Sequence, residues 1–355
     1  MASFDTRILT GRGPADRHIA LCAEALLAGQ PIAFPTETVY GLGAICQREA
    51  DIRRVFEIKG RPLDNPLIVH LASLDELPTV AREIPSLAYS LFEVYCPGPL
   101  TLVLKRHERV PAVVSAGLDT VAVRWPQHPL ASDLIRAVGA GLVAPSANQS
   151  GRPSPSTAAH VFTDLATLIP YVLDGGPCHF GLESTVLDLT SDPVAILRPG
   201  AYSPERLAEV IGYAPLWTEN STGEQPRAPG MKYRHYAPRC PVEILETGNL
   251  RALLRFAAEG RQAGELRAAL ISEKLAEACS AALGRDFLPW SELERAEAGD
   301  LVVLSYRDAT AAAHELFSFF RAAEPYASSL LVEAAAEGEL AAAFNNRLAK
   351  AAAAR

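Results

Sequence analysis

In the stretch KGRPLDNPLIVH two cations, Lys59 and Arg61, are followed by Pro62 and Pro66 and then by an apolar run that ends on His70. Each proline restricts its own φ and the residue before it, so both cations approach the apolar run on a stiff backbone. The same arrangement recurs along the first part of the chain, where apolar runs close on hydroxyls, amides and cations. PTETVYGLG carries Thr36, Thr38 and Tyr40, and DTVAVRWP carries Thr120 and Arg124. APSANQSGRPSPS carries Ser146, Asn148, Ser150, Arg152 and Ser154; GLESTVLDL carries Glu183, Ser184 and Thr185; ILRPG carries Arg198. Open α/β sheets hold their ligands at strand ends. A set dominated by cations and short donors suits an anionic, hydroxyl-rich ligand such as a nucleotide.

Each of these residues also has a plainer reading. Alone, Lys59 and Arg61 are a solvated basic turn and His70 is a satisfied core histidine. SANQS is an Asx or Ser turn. Arg124 and Arg198 are harder to dismiss, because each lies in or just after an apolar run, where an unpaired cation is costly. A buried salt bridge is the competing role for both. The common phosphate loops G-x-x-x-x-G-K-[ST] and G-x-G-x-x-G are absent, as are H-E-x-x-H and G-x-S-x-G.

The elements that must position these groups follow from periodicity. Asp16 to Ala28 reads as a helix ended by Gly29, and Glu49 to Lys59 as another. PIAF, LIVHL, LTLVLK, VAVRW, GLVAPS, YVLDGG, STVLDL and AILRPG read as short strands. Their alternation with helical stretches predicts an α/β domain with a mixed sheet over residues 1–211. Residues 212–241 are rich in Pro, Gly and polar residues and read as a linker or lid loop. From 242 to 355 the runs VEILE, RAALIS, LVVLSY and SLLVEA, separated by Ala-rich helices, predict a small α/β domain of parallel-sheet type. Its loops show no phosphate fingerprint and no clustered His or carboxylates.

Composition bounds the rest. The 355 residues are 49% hydrophobic and 21% charged, with a formal net charge of -8. That balance argues against a large nucleic-acid footprint. The six cysteines form no C-x-x-C pair, so reduced structural thiols are expected rather than a disulfide framework or a zinc site. No apolar run reaches the ~18 residues of a membrane span, and the N-terminus lacks a signal-peptide core, so a cytoplasmic address is expected.

Taken in order, PTETVYGLG, KGRPLDNPLIVH, VAVRWP, APSANQSGRPSPS, GLESTVLDL and ILRPG resemble the YrdC-type threonylcarbamoyl-adenylate synthases. KYRHYAP followed by a small α/β domain is similar to that family's long, two-domain branch. The resemblance implies a twisted mixed sheet with helices around a concave basic cavity, then a linker and a small Rossmann-like domain. It implies a nucleotidyltransferase that condenses L-threonine, bicarbonate and ATP to threonylcarbamoyl-AMP and pyrophosphate. The product supplies threonylcarbamoyladenosine beside the anticodon of tRNA. Implied partners are a downstream threonylcarbamoyl-transfer enzyme and, transiently, tRNA. Mg2+ would be carried by the ATP phosphates, with no metal ligand from the protein and no organic cofactor.

By motif match, Lys59 and Arg61 are the catalytic cations facing the ATP phosphates and the bicarbonate-derived group. Asn65, Thr120, Ser146, Ser154 and Arg198 fall at nucleotide-binding positions, with His235 and Tyr236 of the linker reaching over the nucleotide. Thr38, His70, Arg124, Ala144 and Ser184 fall at L-threonine-binding positions. Two other readings compete. One is an RNA-binding module, disfavoured by the acidic balance and the lack of aromatic–basic interleaving. The other is a carbamoyltransferase acting on another acceptor, whose relatives carry zinc-spaced cysteines that this chain lacks.

Overall fold

The computed structural model describes residues 3–11, 16–218, 226–227, 229, 236–283 and 287–353. The chain divides into two compact units, one of residues 1–150 and 154–233, the other of 151–153 and 234–355.

In the first unit β1 (Arg7–Thr10) precedes α1 (Arg17–Leu27). Asp16 caps this helix by accepting the His18 N–H at 2.8 Å, satisfying a donor the first turn leaves open. β2 (Ile32–Phe34), β3 (Gly41–Ile45) and α2 (Glu49–Lys59) follow. Gly60, at φ +59°, stops α2 in the left-handed conformation that glycine adopts without strain. Next come β4 (Ile68–His70), α3 (Ser86–Tyr95), β5 (Leu100–Lys105), β6 (Thr120–Arg124), α4 (Pro129–Val138) and β7 (Leu142–Val143). α5 (Ala158–Leu165), β8 (Tyr171–Asp174), β9 (Thr185–Asp188), β10 (Ala195–Arg198), α6 (Pro204–Ile211) and β11 (Leu216–Trp217) complete the unit.

The strands form one mixed eleven-stranded sheet in the order β1-β8-β2-β3-β7-β4-β6-β5-β9-β10-β11. Side chains alternate between its faces. Ala33, Leu42, Val143 and Val172 pack in one core cluster, while their neighbours Ile32, Phe34, Leu142 and Leu173 pack in another with α1 and α4. In the β4-β6-β5-β9 half, Val69, Val123, Leu102 and Leu187 continue the first cluster. The opposite face there carries the small cluster of Ile68, Ala122, Val103 and Val186. Two residues along from Ile68 and Ala122 on that face come His70 and Arg124, and two residues before Val103 and Val186 come Thr101 and Ser184. Strand pleating thus sets four polar side chains in one row where apolar partners are few.

The second unit contains β12 (Val242–Leu245), α7 (Leu250–Ala263), β13 (Arg267–Ser272), α8 (Glu273–Leu283), β14 (Leu288–Pro289), β15 (Leu301–Tyr306), α9 (Ala309–Ala323), β16 (Ser329–Glu333) and α10 (Ala341–Ala352). Its five strands are all parallel, in the order β12-β16-β13-β15-β14. Parallel α/β sheets place ligands beyond their strand C-termini. Here the buried Glu333 carboxylate fills that position, accepting the Gly248 N–H at 2.8 Å and the Ser272 N–H at 2.6 Å.

Candidate active site

The polar row is built by strand register. His70 pairs with Arg124 across β4 and β6, and Arg124 pairs with Thr101 across β6 and β5. Thr101 Oγ1 lies 2.7 Å from Ser184 Oγ, just ahead of β9. Ala144 joins the row by donating its N–H to Ile68 O at 3.0 Å, which leaves its carbonyl as the group it can offer a ligand. The turn between β2 and β3 delivers Thr38. Arg124 Nη1 donates to Thr38 Oγ1 at 2.8 Å, and Thr38 Oγ1 lies 2.9 Å from Thr36 Oγ1. Thr36 gives its own proton to Val39 O at 2.6 Å, so Thr38 is the donor between the two hydroxyls. The structure therefore brings together Thr38, His70, Arg124, Ala144 and Ser184, the five positions matched to L-threonine.

Arg124 is only 4% exposed, and its Nη2 lies 2.8 Å from Oε1 of Glu37, itself 5% exposed. The competing role, a buried salt bridge, is thus present, but it is incomplete. The two groups are close without being aligned for a hydrogen bond. Neither Glu37 oxygen has a hydrogen-bond partner, nor has Arg124 Nε or Nη2. Buried charged groups left in this condition are uncommon and call for an explanation. Sequence reading missed Glu37 because a carboxylate between two threonines in a turn reads as solvated. It missed Thr101 because threonine is an ordinary strand former in LTLVLK.

His70 is buried on the same row, its Nδ1 3.3 Å from Ile68 O and its ring edge-on to Phe34. Burial, and then the Arg124 charge, push its pKa down to about 3. The ring is a neutral hydrogen-bonding group and adds no charge beside Arg124. We expect its C–H resonances to stay fixed from about pH 8 to about pH 5, the range over which an exposed imidazole titrates. An NMR midpoint near 6.5, the unperturbed value, would contradict this placement.

The nucleotide-matched residues fall in separate sets of contacts. Lys59 is buried at the end of α2, and its Nζ donates to Ser146 O and, at 2.6 Å, to Asn148 O. Ser150 N–H returns a bond to Lys59 O at 2.9 Å. This lysine, expected from its motif to face phosphates, fastens the backbone of the Ser146–Ser150 loop. Arg61 donates from Nε to Asn65 O at 3.2 Å and from Nη2 to Pro66 O at 2.9 Å, so it clamps the proline turn that follows it. Asn65 is buried in that turn.

Ser154 donates to Glu183 Oε1 at 2.6 Å, next in the chain to Ser184. Arg198 donates from Nε to Ser184 O and from Nη2 to Ser184 Oγ, each at 3.1 Å. Its Nη1 reaches Pro229 O at 3.2 Å. Gly200 makes this approach possible, because a Cβ there would come within 2.0 Å of Thr185 N. Thr120 starts the strand that Arg124 ends, so it lies about 13 Å along the same face by strand rise.

Arg152 and Tyr236 belong to the second unit. There Arg152 pairs with Glu324 at 2.5 Å, and the Tyr236 ring stacks on Phe317 at 5.2 Å with the Arg347 guanidinium 5.8 Å from its centre. His235, with Lys232, Tyr233 and Arg234, lies outside the described residues.

Residues 24–200 match the family model described as Telomere recombination, and residues 202–353 match that of the threonylcarbamoyl-AMP synthase C-terminal domain. A threonylcarbamoyl-AMP synthase of Bacillus subtilis is 42% identical over 288 residues, which is 80% of this chain and 82% of that protein. The chain belongs to the threonylcarbamoyl-AMP synthase family. Another member, from Pyrococcus abyssi, is 48% identical over 230 residues, covering 64% of this chain and 68% of its own length. The crystal structure of P. abyssi Sua5 complexed with L-threonine superposes with a TM-score of 0.86 at 36% identity, covering 99% of this chain and 98% of that one. The family membership and this superposition agree with the mixed α/β architecture and the transferase class that the motifs imply. Among the described residues no helix is long and apolar enough to cross a membrane.

Proposed function

We propose that the protein condenses L-threonine, bicarbonate and ATP into threonylcarbamoyl-AMP, with pyrophosphate leaving. The observation that carries this reading is the buried row of Thr38, His70, Arg124 and Ser184, whose central guanidinium has donors without partners. A carboxylate fits those donors, as a fork of N–H groups matches two carboxylate oxygens. Threonine bound there holds its amine beside the row. Attack of that amine on the carbonyl carbon of bicarbonate, with loss of water, gives an N-carboxylated threonine. An oxygen of the new carboxylate then forms a bond to the α-phosphorus of ATP as the bond to pyrophosphate breaks. Both reacting partners are anions, so the protein's contribution is positioning and neutralisation.

Lys59 holds the Ser146–Ser150 loop in place and Arg61 holds the Asn65–Pro66 turn, so the nucleotide would lie on two surfaces already pinned by cations. Thr120, Ser146, Ser154 and Arg198 are proposed to contact that nucleotide. Among the described residues no group of three His, Cys, Asp or Glu is arranged to hold a metal. The donors at the site are hydroxyls and cations, which suit phosphate oxygens already carrying Mg2+. When bound, that ion would share the phosphate charge. The product would pass to an enzyme that transfers the threonylcarbamoyl group to tRNA adenosine. The cytoplasm, where the six free thiols would stay reduced, is the proposed location.

Pyrophosphate release from ATP should require both L-threonine and bicarbonate and no RNA. Release that continues without threonine would overturn the reading. Arg61 is proposed to face the ATP phosphates as well as to clamp its turn, so Arg61→Ala should cut this release by ~10²-fold, the scale expected when one preorganised cationic donor is lost. Near-normal release by that variant would make the Lys59–Arg61 turn a purely structural one.

A further inference from the structure

Glu37 has no role in the proposed reaction so far, yet it is buried with neither carboxylate oxygen hydrogen-bonded. Its two oxygens lack hydrogen bonds, and the cation beside it, Arg124, faces it without alignment at 2.8 Å. Its position is fixed by main-chain contacts: Phe180 donates its N–H to Glu37 O at 2.8 Å, and Thr36 and Thr38 on either side are hydrogen-bonded. Cys96, Cys178, His128 and Tyr202 lie within its electrostatic reach, and burial drives each toward its neutral form. None of these supplies a second cation. A buried carboxylate with two bare oxygens and one half-engaged guanidinium is a charge arrangement waiting for a positive donor.

An α-amino acid supplies one. It is a zwitterion, with an ammonium group of three donors placed two bonds from a carboxylate. Laid against the pair, its carboxylate takes the unused Arg124 donors and its ammonium takes the unused Glu37 oxygens. The charges then alternate in sign, the net charge of the pocket does not change on binding, and every orphaned atom of the pair finds a partner. We infer that Glu37 binds the ammonium group of the amino-acid substrate, so that Glu37 and Arg124 together read the zwitterion. This rests on the proposed threonine site. It adds that the amine, the atom that must react, is located by Glu37 rather than by chance.

The test is calorimetric titration of the full chain, with a non-hydrolysable ATP analogue present. Two ligands are compared: L-threonine and its 2-hydroxy counterpart (2S,3R)-2,3-dihydroxybutanoate, which keeps the carboxylate and the 3-hydroxyl but has no ammonium. The wild type should bind threonine ~10²-fold more tightly than the hydroxy acid, the scale of a buried charged hydrogen bond. In Glu37→Gln that preference should shrink to a few-fold, with hydroxy-acid affinity largely kept. Glu37→Asp, which keeps the charge on a shorter arm, should retain part of the preference.

A role confined to holding Arg124 in place would weaken both ligands equally, and an unchanged preference in Glu37→Gln would overturn the inference alone. Failure of the wild type to bind threonine at all would instead remove the threonine site, and the inference with it. Thermal melting of each variant shows whether a lost affinity reflects lost folding, and the ligand ratio decides the matter within any variant that folds.

Discussion

Arg124→Ala is expected to lower turnover by ~10³-fold or more and to destabilise the first unit by about 3–5 kcal/mol. The two effects have different origins. The guanidinium is buried, spans from Thr38 to Glu37, and sits in strand register between His70 and Thr101. Removing it strands the Glu37 carboxylate in a low-dielectric site, which is the costly half of breaking a buried pair. It also removes the donors proposed for the substrate carboxylate. Replacing both residues separates the causes. In the double variant Glu37→Ala with Arg124→Ala no orphan charge remains, so much of the stability should return while turnover stays low. Denaturant titration and pyrophosphate release measured on the same samples check this. Recovery of turnover along with stability would show that Arg124 matters only to folding.

Lys59→Met should also act on both properties, through a different part of the site. The methionine keeps the volume and loses the ammonium, leaving Ser146 O and Asn148 O without their shared donor. Ser146 O keeps the Asn148 N–H at 3.0 Å, and each bond lost from a charged donor costs about 1.5–3 kcal/mol. The loop from Ser146 to Ser150 would shift, and a displacement of about 1 Å at a reacting centre costs ~10²-fold. Hydrogen exchange reads the loop directly. The Ser150 amide, bonded to Lys59 O at 2.9 Å, should lose protection in the variant. A lysine whose only task were to touch phosphate would lose turnover with that amide still protected and stability unchanged.

How far the sequence discloses such a site depends on what kind of signal a residue leaves. Arg124 and His70 are visible because each closes an apolar run, and a polar residue there needs a partner. Helix α2 is visible end to end, since acidic residues open it and Gly60 closes it. Strand β3 is not visible: its run GLGAI has too much glycine to read as a strand. The structure supplies the reason for those glycines, because Phe34 lies over them and a Cβ at Gly43 would meet its ring at 2.9 Å. Lys59 illustrates a different limit. Its motif marks it as important, but whether a buried ammonium meets a phosphate or a carbonyl depends on a loop some ninety residues away in sequence. Glu37 is the hardest case. Only burial distinguishes it from a solvated turn residue, and burial here comes from the packing of strands far apart in the chain.

The central claim is that one site joins three substrates into a single adenylate. It is tested most directly by mass spectrometry of the nucleotide product formed from ATP, L-threonine and isotopically labelled bicarbonate. The account predicts a product containing AMP, threonine and one labelled carbon, formed together with pyrophosphate. A threonyl-adenylate without the label, or AMP released with no threonine attached, would contradict it.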